Sequence, residues 1–139
     1  MGRPMLRTVL CLLVIVFVPM SRAVYGDDIL YCIEEDSNGF HPNEKNNNKY
    51  ARSGFVTGKF TLKLSIDNSQ IIINKSGEGA STYKCSIPYR ISPDSLSCTQ
   101  NFDHFSFNKT TGNFVRASIY GHAQGKDSVF VIIGHCSKF

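Results

Sequence analysis

Phe55-Val56-Thr57-Gly58-Lys59-Phe60-Thr61-Leu62-Lys63-Leu64-Ser65-Ile66 decides the fold of this chain. Val56, Phe60, Leu62, Leu64 and Ile66 fall on one side of an extended backbone, with Gly58 among them. Thr57, Lys59, Thr61, Lys63 and Ser65 fall on the other. Successive side chains of a strand point to opposite faces. The stretch therefore reads as a strand with one face on a core and one in water. Asp67-Asn68-Ser69 supplies a turn, and Ile71-Ile72-Ile73 begins a partner, which predicts a hairpin.

Toward the C-terminus the pattern repeats. Ser76-Gly77-Glu78-Gly79 turns the chain, and residues 82–87 read as a third strand with Tyr83, Cys85 and Ile87 on one face. Pro88 and Pro93 cannot donate to a ladder. Ser92-Pro93-Asp94 resembles a helix start, so a single helical turn is expected over 93–97. Residues 102–108 alternate again, with Phe105 and Phe107 together. The loop 109–113 contains Gly112, which suits positive φ. In 114–121, Phe114, Arg116, Ser118 and Tyr120 lie opposite Val115, Ala117 and Ile119. After the loop 122–127, the run 129–133 is apolar on both faces, which predicts a central strand or one with a covered second face, ending at Gly134.

Toward the N-terminus the pattern fades. Residues 27–54 read as polar and irregular, apart from a short strand at Ile29-Leu30-Tyr31-Cys32. Asn38-Gly39, His41-Pro42 and the tract 43–49 have turn and surface-loop chemistry. The sum is an all-β domain: an antiparallel meander of six to seven short strands, forming a small barrel or sandwich, with at most one short helical turn. No internal repeat is visible.

The first 23 residues have the layout of a secretory signal peptide. Arg3 and Arg7 precede an uncharged apolar run at 9–18, Pro19 breaks it, and Ser21-Arg22-Ala23 offers small residues for cleavage. The run has ten residues, whereas a membrane-spanning helix needs about 20. An uncleaved anchor is the alternative. A lipoprotein anchor ranks lower, because Cys11 lies inside the run. Cleavage is expected after Ala23, with Gly26 as second choice. It leaves a single domain at 24–139, exported to the medium or a periplasm, with no further membrane span. Of 15 basic residues, three leave with the signal, and all 11 acidic residues stay, so the mature charge is +1. That balance excludes a dedicated nucleic-acid binder, which needs clustered Lys and Arg.

Five cysteines become four once Cys11 is removed. An even count in an exported domain reads as disulfides. Of the three pairings four cysteines allow, Cys85 with Cys98 and Cys32 with Cys136 are preferred: one closes a turn-rich loop, the other ties the domain's ends together. A Cys/His zinc site, with His135 beside Cys136, is the rival, but no spacing supports it. No metal or cofactor is expected.

No catalytic residue is assigned. Asp103-His104, and His122 with Asp127, are the pairs a His/Asp hydrolase would use. No G-x-S-x-G is present. Phe102, Phe105, Phe107, Phe114, Tyr120 and Phe130 crowd the last third. They read first as core. Phe102, Phe114, Tyr120 and Phe130 also form a candidate ligand face. Asn74-Lys75-Ser76 and Asn108-Lys109-Thr110 match the N-glycosylation pattern. The expected role is a non-enzymatic exported module that binds an unidentified protein or small ligand. A small secreted hydrolase and a structural or envelope-associated protein are the alternatives.

Overall fold

The computed structural model describes residues 28–47, 49–86, 92–125 and 127–138. The proposed signal peptide and both cleavage points lie outside them, as does Ile87. Nine strands are arranged in one antiparallel sheet: β1 Asp28–Asn43, β2 Lys49–Gly54, β3 Lys59–Leu64, β4 Gln70–Lys75, β5 Gly79–Ser86, β6 Ser95–Gln100, β7 Asp103–Asn108, β8 Asn113–Ser118 and β9 Val129–Lys138. A 3₁₀ turn, Glu44–Asn46, separates β1 from β2, and a short helix, α1 Gly121–Gln124, precedes β9.

Each strand from β3 to β9 pairs with its sequence neighbour, and β9 pairs back onto β1. The sheet thus closes as an eight-stranded barrel, with β2 as an added ninth strand. Closure pairs β1 with β9, leaving β2 as the strand bonded on one side only among the described residues. The expected meander is present, and of barrel and sandwich it is the barrel.

β1 makes the closure. Its first half pairs with β3 (Asp28↔Leu64 to Ile33↔Lys59), and its second half with β2 (Asn38↔Gly54 to Asn43↔Lys49). Its other edge runs along β9 from Leu30↔Lys138 to Phe40↔Val129. A bulge between Glu34 and Asp36 shifts the register. Such an extra residue flips the facing of all that follows: Cys32 and Glu34 are buried before it, Ser37 after it. The described residues of the stretch read as irregular, 28–47 and 49–54, are therefore mostly strand.

Both disulfides join directly opposed residues. Cys32–Cys136 crosses the β1–β9 seam, and Cys85–Cys98 crosses β5–β6. They fit an oxidising, extracellular or periplasmic environment. The inward positions of β3, β4, β6 and β7 supply Phe60, Leu62, Leu64, Ile71, Ile73, Leu96, Phe105 and Phe107. Phe60, Phe105 and Phe114 pack ring on ring at 5.2–6.2 Å, and Tyr83 meets Phe105 at 6.0 Å. Such pairs contribute about 0.5–1.5 kcal/mol each beyond burial. The inward face of β3 is apolar, while Lys59 and Lys63 stand on its other face.

Two local expectations are corrected. The helical turn at 93–97 is a turn at Pro93–Asp94 followed by β6, because Ser95 and Leu96 pair with Asn108 and Phe107. The strand expected to end at Gly134 continues to Lys138, since Cys136 and its neighbours pair with β1. Of the two alternatives for this strand, central holds: β9 lies between β8 and β1, while its outer face stays open, with Val131 and Ile133 each 46% exposed.

Candidate functional site

The two barrel ends differ in chemistry. The end holding the start of β1 and the end of β9 is lined inside by buried apolar side chains such as Leu64, Ile71 and Leu96. The opposite end, called the rim below, carries the β6–β7 turn, the 119–128 segment, the 76–78 turn and the β1–β2 hairpin.

Beneath the rim, ionisable groups take inward positions. The Glu34 side chain is 1% exposed. Its Oε2 accepts from the Gly58 N–H at 2.7 Å and lies 3.8 Å from Lys75 Nζ. Arg116 Nη2 donates to Asp103 Oδ2 at 3.0 Å, and the Tyr83 hydroxyl donates to the same oxygen at 3.4 Å. The Arg116 guanidinium lies over the Phe130 ring at 5.7 Å. Burial pulls the Arg116 pKa down, but Tyr83, Asp103 and Glu34 outweigh it and the net shift is upward. Burial pushes the Tyr83 hydroxyl above its ordinary value. Glu34 Oε1 and Arg116 Nε have no hydrogen-bond partner among the described residues. The recess these groups border, between Phe60, Ile73, Lys75, Tyr83 and Arg116, has about 20 Å³. That is room for a water molecule and no larger ligand.

Above this layer the hairpin is pinned to the 119–128 segment. Tyr50 stacks on His122 at 4.4 Å, and its hydroxyl is 3.0 Å from the Gly121 carbonyl and 2.9 Å from that of Asp127. His41 Nδ1 and Ser128 Oγ are 2.6 Å apart. Phe55 packs on Phe130 at 5.6 Å.

The candidate ligand face divides. Phe114 is buried in the ring stack, 2% exposed. Phe130 is partly buried between Phe55 and Arg116. Phe102 and Tyr120 are brought together outside, stacked at 3.7 Å with their planes 10° apart, and remain 51% and 36% exposed. Beside the pair lies a groove of about 210 Å³ whose walls include Gln100, Asn101, Asp103, Ser118, Gln124 and Asp127.

The His/Asp pairs are not brought together. Asp103 faces inward to Arg116, while His104 is exposed on the opposite face of β7. His122 stacks on Tyr50, and only the backbone carbonyl of Asp127 joins that arrangement. Among the described residues no carboxylate is hydrogen-bonded to or ion-paired with a histidine, and no cluster of three or more His, Cys, Asp or Glu is arranged around a metal position. Asn74 is exposed at the end of β4, whereas Asn108 is half-buried, donates to Ser95 Oγ and accepts from the Thr110 and Thr111 N–H groups.

Sequence reasoning missed the Glu34, Arg116 and Tyr50 contributions. For Arg116 a signal existed: it shares a strand face with Phe114, so a core aromatic and a charge point the same way. Comparison with protein-family models, with curated proteins and with solved structures finds no match.

Proposed function

We propose that this chain is an exported, non-enzymatic binding module that engages its ligand at the rim. In this reading residues 1–23 direct export and are removed, and the disulfides form in the medium or periplasm. The observation that carries it is the placement of aromatics. The interior is filled by Phe60, Tyr83, Phe105 and Phe114, so the barrel does not act as a ligand cup. The exposed stacked pair, Phe102 with Tyr120, sits instead beside an open groove at one end. Binding sites favour such rigid elements carrying a few polar groups. What weighs against the hydrolase alternative is the separation of every histidine from a carboxylate partner among the described residues.

The test is capture. Immobilised mature protein, exposed to medium and surface extract from the producing cells, retains a ligand. The double variant Phe102→Ser with Tyr120→Ser loses it. Equal retention by both overturns the rim as the contact surface.

A second reading rests on a different observation. Val115 and Ile133 are cross-strand partners on the outer wall of β8 and β9, and with Val131 they are 42–46% exposed. A flat apolar strip of this kind suits a protein partner. Loss of capture in Val131→Thr with Ile133→Thr, and retention in the rim variant, would favour the wall.

A further inference from the structure

Resting on the rim reading, we infer that the groove beside Phe102 and Tyr120 takes one sugar ring, the terminal or exposed unit of a glycan.

A pyranose has an apolar side made of C–H groups and a perimeter of hydroxyls. It needs a flat apolar platform beside groups that both donate and accept hydrogen bonds. The rings of Phe102 and Tyr120 are held against each other at 3.7 Å, so the platform is ordered before any ligand arrives. Preorganisation of that kind lowers the cost of binding. Phe102 is the second residue of the two-residue turn between the paired Gln100 and Asp103, and Asn101 before it takes φ 52°. Asn is among the few residues that accept this left-handed backbone. The turn therefore fixes where the ring is presented.

The groove walls supply the perimeter contacts. Gln100, Asn101 and Gln124 are side-chain amides, each with donors and an acceptor, and Ser118 adds a hydroxyl. Asp127 adds a carboxylate that accepts when ionised, whereas Asp103 Oδ2 is already engaged by Arg116 and the Tyr83 hydroxyl. The size agrees: about 210 Å³ is below the about 300–1,000 Å³ of sites for drug-sized ligands. The groove thus suits one ring whose further units extend into solvent.

The experiment is a titration of ¹⁵N-labelled mature protein with methyl glycosides of glucose, galactose, mannose and N-acetylglucosamine, followed by amide shifts and by saturation transfer from the aromatic rings. At least one glycoside should produce saturable shifts at Asn101, Phe102, Tyr120 and Gln124, with affinity in the millimolar range. Phe102→Ala and Gln124→Ala should each weaken it about tenfold, while Val131→Thr leaves it unchanged. Both rim positions are exposed, and each variant's amide spectrum reports directly whether it folds. Absence of saturable shifts with all four glycosides overturns the inference, as do shifts that persist unchanged in Phe102→Ala and Gln124→Ala. The capture experiment separates the two claims. If capture depends on Phe102 and Tyr120 but no glycoside binds, the sugar assignment fails and the rim reading stands. If capture ignores the pair, the rim reading fails.

Discussion

At the scale of single residues, the charges under the rim are the least replaceable part of the interior. Arg116 enters a barrel lined by phenylalanines because Asp103 holds its guanidinium and Phe130 covers it. Removing one partner of a largely buried pair leaves the other uncompensated. Arg116→Met should therefore destabilise the fold by about 3 kcal/mol in urea titration, and adding Asp103→Asn should restore part of that loss. A neutral Arg116→Met would contradict the assignment. Tyr83 gives a pH test. Its hydroxyl is raised above 10.0, chiefly by burial. A raised folded value means that its contribution is intact below pH 10 and is lost as pH rises through the folded value. Tyr83→Phe should flatten that alkaline loss, and tyrosinate absorbance should show one tyrosine titrating late.

At the scale of elements, the β3–β4 turn and the β1–β9 seam make separate demands. Asp67 is held at about 2, first by the Ser65 hydroxyl, then by the Ser69 N–H and hydroxyl. Its folded value is depressed below 3.8, so the turn's support is present above that pH and is lost as pH falls toward about 2. The carboxyl carbon shift should titrate near the lower figure. A midpoint at the ordinary value would show that the turn is open. In the seam, a Cβ on Gly134 would fall on the Ile33 carbonyl and against the Phe114 ring. Gly134→Ala should cost about 1–3 kcal/mol through overpacking, measured by the same urea titration. The legibility of the elements follows similar physics. β3 was readable because Phe60, Leu62 and Leu64 alternate cleanly with lysine and threonine, although the pattern overran into Val56 and Ile66, which are 92% and 65% exposed. β1 was not, because its inward positions include Glu34 and Ser37 and its bulge breaks the period of two. β6 hid behind Ser92-Pro93, which imitates a helix cap. The Phe102–Tyr120 pair was named from composition, but its stacking depends on the β7–β8 register, which pairs Asp103 with Ser118 and so sets the turn before β7 beside the segment after β8.

At the scale of the whole molecule, the account depends on joining the chain's first and last strands. The seam disulfide, Cys32–Cys136, spans 104 residues, and Cys85–Cys98 spans 13. In the chain-entropy view the long loop contributes about 4.7 kcal/mol and the short one about 3 kcal/mol. Opening the seam should therefore cost more than opening the β5–β6 bond, even though both are local cross-strand links in the folded state. Thermal unfolding of Cys32→Ser with Cys136→Ser, against Cys85→Ser with Cys98→Ser, checks the order. The closed barrel also keeps the rim's loops in register, so the seam variant should weaken rim binding more than the other. Peptide mapping of the protein under non-reducing conditions probes the closure most directly. The account predicts two linked fragments, one joining Cys32 to Cys136 and the other Cys85 to Cys98. A link from Cys32 to Cys85 or Cys98, or four free thiols, would contradict it.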